Sequence, residues 1–384
     1  MFVVSGNGVH AQSVTAKFGD GIGFIPADSS FSMNFSTRFQ TQLEVASALN
    51  DEADPSVAMA IRRFRLKFGG FAYDPRLTYK MELALSNNDN GPVVPEGNNA
   101  ANIVLDAYAE YRFIKQLSLR AGQFKLPGNR ERVISSQDLQ FVDRSLVNAY
   151  FNLDRDLGLM LQHEFKIDSW VVRDQWAVAK GEGRNMTLES DVGLSYTGRV
   201  EVLPFGPFTN EGDQFGSDLE REPTPKLSLA AGYSYNDEAV RSQGELGVFM
   251  PVSRDLSKIF ADMMFKYRGL SVMAEYMSKQ TDRPVVAGMD KHFVTGQGFV
   301  VQAGYLMKND LEMAIRYANI EPSEDNFTGG LADHETEYTL GLSRYIVGHA
   351  LKVQTDLSYT QFDAFGVENE DPFLAYRLQM ELAF

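Results

Sequence analysis

The chain has 384 residues, 51 acidic against 36 basic side chains, a net charge of −15 and no cysteine. That balance disfavours a nucleic-acid partner, the missing thiols suit an envelope compartment, and no apolar run approaches the ~20 residues of a membrane helix. A β-barrel stays open, because its apolar residues are dispersed at every second position; 27 Phe, 16 Tyr and 32 Gly suit strands, interface girdles and tight turns.

In chain order, residues 2–12 read like the end of a secretory signal, with Val9-His10-Ala11 as a small-residue cleavage site. Residues 1–11 are therefore expected to be a residual tail and 12–384 a single barrel domain. Ser29 to Val45 alternates, with Phe31, Met33, Phe35, Phe39, Leu43 and Val45 on one face and Arg38, Gln40 and Gln42 on the other. After an acidic connection comes Ile61 to Phe68. If extended, it sends Phe64, Leu66 and Phe68 one way and Arg63, Arg65 and Lys67 the other. Alternation continues through Leu77–Leu85, Ile103–Arg112 and Leu117–Arg120, stops after Pro127, and resumes at Leu157. Further strands are predicted near 169–180, 190–203, 226–237, 257–268, 269–280, 296–307, 310–320, 335–346 and 349–363. The last runs from Phe373 to Phe384, where Leu374, Tyr376, Leu378, Met380 and Leu382 share the face of the terminal Phe.

These make about sixteen strands, most long enough to cross a bilayer obliquely. Connections mostly alternate long and short, as outer loops and periplasmic turns do, whereas a soluble sandwich has no reason for that rhythm. The fold class predicted is all-β, a transmembrane antiparallel barrel. One stretch breaks the rhythm: residues 204–225 are long where a short turn is due. They are either an ordered periplasmic excursion or a miscount.

If hydrocarbon presses on one face, the other looks into a wet interior. Arg38, Arg63, Arg65, Lys67, Lys80, Arg112 and Arg120 then line it, partly offset by Glu82, Asp106 and Glu110. Rings of Arg and Lys favour anions. Residues 131–156 form the third outer connection. Leu139, Val142, Leu146 and Tyr150 recur there at helical spacing, and amphipathic content in an outer loop suggests that it folds inward and narrows the barrel. Acidic runs at 51–54, 220–222, 321–325 and 368–371 read as solvated connections. Five scattered histidines, no metal-binding spacing and no nucleophile motif argue against an enzyme. His163 falls on the lipid face near the interface.

Four segments in order, Arg62-Arg63-Phe64-Arg65-Leu66 with Gly70, Leu105-Asp106-Ala107-Tyr108, Arg120-Ala121-Gly122-Gln123-Phe124-Lys125, and Phe141-Val142-Asp143-Arg144-Ser145-Leu146-Val147, resemble the phosphate-selective porin O and P family, densely over residues 60–165. The resemblance implies a sixteen-stranded, trimeric outer-membrane porin with an inward third loop and anion selectivity, phosphate or polyphosphate being the type substrates. By motif match it implies a basic pair at Arg62 and Arg63, a paired acid at Asp106, and loop residues Arg132, Ser135, Ser136 and Arg144. Lys125, closing the third segment, joins the pore-lining set. Alternation alone puts Arg63, not Arg62, inside, so Arg62 belongs on the rim or a bulge. The family's strongly selective members carry an arginine ladder at the mouth that has no dense counterpart here.

The reading is passive diffusion of small anions through an Arg-lined constriction, without cofactor or metal. Outer-membrane lipid and lipopolysaccharide would surround the barrel and two further copies complete a trimer. The alternatives are a general porin and an outer-membrane binding or assembly component plugged by its own loop.

Overall fold

The computed structural model describes residues 11–49, 54–90, 102–186, 193–286, 291–323, 334–363 and 371–384. Two strands, β1 (Ala11–Lys17) and β2 (Gly21–Pro26), form an N-terminal hairpin. Sixteen follow: β3 (Met33–Ala48), β4 (Ser56–Ala72), β5 (Asp74–Ala84), β6 (Val104–Ile114), β7 (Leu117–Lys125), β8 (Arg155–Ile167), β9 (Trp170–Ala179), β10 (Ser195–Leu203), β11 (Lys226–Arg241), β12 (Phe249–Tyr267), β13 (Leu270–Gln280), β14 (Gly296–Leu306), β15 (Leu311–Pro322), β16 (His334–Val347), β17 (Leu351–Asp363) and β18 (Phe373–Ala383). Each pairs antiparallel with the next. β18 returns to β3 from Phe373 opposite Ala48 to Ala383 opposite Arg38, which closes the ring. The predicted sixteen-stranded antiparallel barrel is the observed fold.

Closure gives each of the sixteen strands a neighbour on both sides, so main-chain groups in the paired spans find partners within the ring. The side chains then divide as the pleat dictates. On β16, Tyr338, Leu340 and Leu342 are exposed while Thr339 and Ser343 are buried. The same parity holds on β8, where Leu157, Leu159 and Leu161 lie outside. A soluble protein would not leave so continuous an apolar belt uncovered.

Three details differ from the sequence reading. The hairpin β1–β2 was not anticipated. It joins β3 through three residue pairs only, Ile22 to Phe24 against Phe35 to Met33, and β1 is exposed from Ser13 to Lys17. The first ring strand starts at Met33 rather than Ser29 because Ser29 takes a positive φ. The helix expected across 139–150 is confined to α3 (Leu146–Phe151), preceded by the single turn α2 (Arg130–Val133) and, on the second outer connection, α1 (Asn87–Asn90). Ser145 caps α3 by accepting from Asn148 N. The expected signal tail and most of the acidic runs at 51–54, 321–325 and 368–371 lie outside the described residues.

The stretch 204–225 is ordered and the strand count holds. It leaves β10 on the side of the short turns, since Arg268 N and Gly269 N of the β12–β13 turn bond to Glu222 O and Asp218 Oδ2.

Apolar clusters occupy inward positions of several strands. One joins Phe124, Met160, Phe260, Met277, Val300 and Ile320 to Val147 and Phe151 of α3. A second joins Val171, Leu203, Met264 and Met273 to Ile134, Leu139 and Phe208. Gly298 on β14 sits under the first of these clusters, and Gly341 on β16 sits under Phe141 of the third connection. A Cβ at Gly298 would meet Val147 at 2.7 Å, and one at Gly341 would meet the Phe141 ring at 2.9 Å. Absence of a side chain thus lets the third connection approach the strand backbones.

If the exposed face meets hydrocarbon, Leu340→Arg should cost about 2–4 kcal/mol in unfolding from lipid vesicles, with little cost in a mild detergent that lets the guanidinium reach water. Equilibrium unfolding by denaturant in both media measures the difference.

Candidate functional site

Site residues come from β3–β8 and from the third outer connection, residues 126–154. Strand alternation aims Arg63, Arg65 and Lys67 of β4 inward, and Arg63 and Arg65 are buried. Arg62 follows them by a bulge. Gln40 opposes Arg63 but Thr41 opposes Ile61, so Arg62 is the extra residue. Both members of the pair therefore reach one carboxylate: Arg62 Nε lies 3.2 Å from Asp143 Oδ2 and Arg63 Nη2 lies 2.8 Å from Oδ1. Burial opposes ionisation of Asp143, but Arg63 and Arg62 outweigh it and hold the carboxyl well below its usual range. Arg63 also donates to Gln40 Oε1 at 2.7 Å. The geometry makes this pair an anchor for the third connection.

Arg38 does similar work. It donates to Ser136 Oγ at 2.6 Å and pairs with Glu381 at 3.4 Å, while Gln40 donates to Ser136 O. Ser136 is therefore bound to the β3 wall.

A second group encloses open space. A cavity of about 230 Å³ is lined by Arg65, Lys67, Lys80, Arg120, Lys125 and Arg155, with Glu82, Asp106, Tyr108 and Ser135. Asp106 is shared by Lys80 Nζ and Arg155 Nε, each at 2.6 Å. Glu82 is shared by Arg65 at 2.8 Å and Lys80 at 3.0 Å. Arg65 is further held by Asp89 of α1. Arg120 pairs with Glu110 at 2.7 Å and stacks 4.2 Å over the Tyr108 ring. Lys67 reaches only Gln137 Oε1, at 3.4 Å, among the described residues.

Lys125 and Arg144 differ from the rest. Among the described residues their side chains donate to main-chain carbonyls alone: Lys125 to Val133 O (3.0 Å) and Ile134 O (3.4 Å), Arg144 to Glu131 O (2.7 Å) and Ile134 O (2.7 Å). Ile134 O thus gathers both cations. Arg132 between them pairs with Asp154. Burial, with Arg132 and Arg63 close by, pushes the Arg144 guanidinium well below the usual arginine range. Such crowding is a positive potential short of counter-charge, and an anion would relieve it.

The structure brings Arg65, Lys67, Asp106, Arg120, Lys125 and Ser135 to one cavity, with Arg132 and Arg144 at its flank. It sets Arg38, Ser136, Arg62 and Arg63 apart, on anchoring contacts. Arg155 escaped the sequence reading because alternation was taken to resume at Leu157. Strict alternation puts Arg155 on the outer face of Leu157, so parity gave no signal for its burial at the strand's start. Arg130 was also missed. It lies in α2 and bonds to Asp262 on β12, Glu201 on β10 and Ser228 on β11. His163, expected at the interface, is partly exposed and lies 3.1 Å from Asp174.

A second cavity of about 670 Å³ lies on the short-turn side, against Arg130, Arg173, Glu201 and Asp213. Arg120, Val133 and Gln175 line both cavities.

Comparison with known proteins agrees with this geometry. A protein of Aquifex aeolicus (strain VF5), itself described as uncharacterized, is 24% identical over 267 residues, 64% of this chain; the match spans 60% of that relative's length. The outer-membrane channel DcaP of Acinetobacter baumannii superposes with a TM-score of 0.59 at 11% identity, over 93% of this chain and 99% of that one. An anion-selective porin from Comamonas acidovorans gives 0.57 at 12%, over 92% and 100%. OmpT of Vibrio cholerae, in its trimer form, gives 0.51 at 11%, over 92% and 100%. The family model for phosphate-selective porin O and P matches residues 34–384, and the chain belongs to that family of bacterial outer-membrane porins.

Proposed function

We propose that the protein is a passive outer-membrane channel for small anions, phosphate and polyphosphate among them, with residues 131–156 lying inside the lumen as its constriction. One observation carries the anion reading: six cations and only two carboxylates line the 230 Å³ cavity, and one of the six, Lys125, like Arg144 beside the cavity, donates to main-chain carbonyls alone among the described residues. A hydrated anion entering it exchanges water for charge-assisted donors already in place. The third connection supports the constriction reading by its partners. Asn129 bonds to Glu275 of β13 and Gln140 to Glu312 of β15, while Val142 N bonds to Asp356 of β17 and Asp143 to Arg63 of β4. Contacts with inward side chains on so many sides of a closed ring support a path between them.

The roles follow from these contacts. Lys125, Arg144, Lys67 and Arg120 attract the solute; Asp106 and Glu82 hold Lys80, Arg65 and Arg155 in place; Ser135 offers a neutral hydroxyl. Arg62, Arg63, Arg38 and Ser136 hold the loop. The channel acts by binding and diffusion, without covalent chemistry. Association as a trimer in outer-membrane lipid and lipopolysaccharide belongs to the same proposal, supported by the family and by the trimeric OmpT of similar fold.

Single-channel recording in planar bilayers tests the proposal. The wild type should show a reversal potential on the anion side of zero and a current blocked by phosphate. A cation-side reversal overturns the anion reading, and no conductance at all favours a plugged binding component. An uncompensated cation about 6 Å from an anion contributes roughly 0.7–3 kcal/mol between bulk water and an effective dielectric of 20. Lys125→Gln should therefore weaken phosphate block between about 3-fold and 100-fold, with the barrel fold unchanged by circular dichroism.

A pH prediction follows from Asp143. Its folded pKa lies below the unfolded value of about 3.9. Its contribution is therefore fully present above that value and lost only as pH falls through the depressed folded one. Open-channel conductance should stay constant from about pH 8 to pH 5 as far as this anchor is concerned. Asp143→Asn should bring loop noise into the current across that whole range.

A further inference from the structure

We infer that residues 204–225 form a second narrowing element, entering from the periplasmic side, that fills the part of the lumen away from the cation-lined cavity and sets the size limit for solutes. The inference rests on the porin reading above and extends it to a segment that reading leaves without a role.

A periplasmic connection needs only a few residues to join neighbouring strands, as 268–269 do between β12 and β13. Residues 204–225 instead turn back into the ring. Their middle is held by one buried lysine near the turn end of β12. Lys266 Nζ donates to Gly212 O at 2.7 Å, Phe215 O at 2.9 Å and Ser217 O at 2.6 Å, which uses all three ammonium protons on one segment. On the far wall, Ser217 Oγ donates to Glu312 Oε2 of β15 at 2.6 Å, and Tyr345 of β16 reaches the same oxygen at 2.7 Å. The base is closed by Glu222, which accepts from Thr209 N and Oγ1.

The segment then meets the third connection coming from the opposite side. Gly216 N donates to Asp138 O at 2.8 Å, and Phe208 packs with Ile134 and Leu139 against inward residues of β9, β10, β12 and β13. Two insertions from opposite ends thus abut and make a dry, packed core over this arc. Buried charge and apolar packing together cannot serve as a water path. Open space remains on the β4–β10 arc, where both cavities lie and where Arg173 holds Asp213 at 2.6 Å on the segment's edge.

The experiment compares three variants of the full-length chain, each checked for a folded barrel by circular dichroism. In the first, residues 207–222 are replaced by a short Gly-Asn turn. In the second, Lys266→Met removes the staple and keeps the segment. In the third, residues 137–149 of the outer connection are shortened. Single-channel conductance and liposome swelling with neutral sugars of increasing size are read for each. The first variant should raise conductance severalfold and admit larger sugars, while keeping the anion-side reversal potential, because the cation-lined cavity is untouched. Lys266→Met should raise conductance and current noise, and decides the matter if the first variant fails to fold. Wild-type conductance and size limit in every folded excursion variant, with a rise in the third, overturns this inference alone. No rise in any variant overturns the inward-loop reading as well.

Discussion

Every polar side chain that points into a closed ring of strands must find water, a partner across the lumen, or a segment threaded between. Bulk solvent is too far to hydrate it from the rim, and leaving a charge unmatched in a confined space is costly. This constraint explains the arrangement of the interior. Arg130 is the clearest case. It leaves the third outer connection and bonds at once to Asp262, Glu201 and Ser228, on three consecutive inward-facing strands. Arg199 joins the same Asp262 at 2.6 Å. Removing one member would strand the others, which is how buried ionic networks hold a geometry even when they add little net stability.

The constraint is met differently on two arcs. On β11–β17 the inward residues include Phe260, Met264, Met273, Met277, Val300 and Ile320, and residues of the third connection, with Phe208, pack against them. On β4–β10 charged side chains stand among inward apolar ones such as Phe124 and Met160, and cations outnumber acids around the smaller cavity. A net charge of −15 for the whole chain therefore says little about the conduit. Acids on the connections and cations on one inner arc act on a solute at different points of its path, and interactions beyond about 10 Å are screened in salt.

How much of this was legible varies with the range of the interaction. Alternation is local, so sixteen strands and their inward Arg63 and Arg65 could be read directly. The hairpin β1–β2 could not. It is short, glycine-containing and exposed, and nothing in its pattern distinguishes it from a tail. Arg62 shows the limit of strict parity: one bulge turned it onto the face of Arg63, and that bulge depends on the neighbouring strand. These two connections were legible only as anomalies, a stretch without alternation at 131–156 and one too long at 204–225. Their partners lie far away in sequence; Gln140 and Glu312 are 172 residues apart. A sharper signal was present in β12, where Ile259-Phe260-Ala261 and Met263-Met264-Phe265 are apolar on both faces. A strand between lipid and water has no reason for that, whereas one between lipid and a packed insertion does.

The division of the inner wall can be measured without reference to transport. The chain has no cysteine, so single cysteines introduced at inward positions report water access against a clean background. Lys67→Cys and Gln175→Cys lie on the cation-lined arc, and Met277→Cys and Ala318→Cys lie in the apolar cluster that includes Val147 and Phe151. A small membrane-impermeant thiol reagent applied to protein in lipid vesicles should label the first pair readily and leave the second unlabelled until the barrel unfolds. Equal labelling on both arcs would show a lumen wet all round and contradict the account.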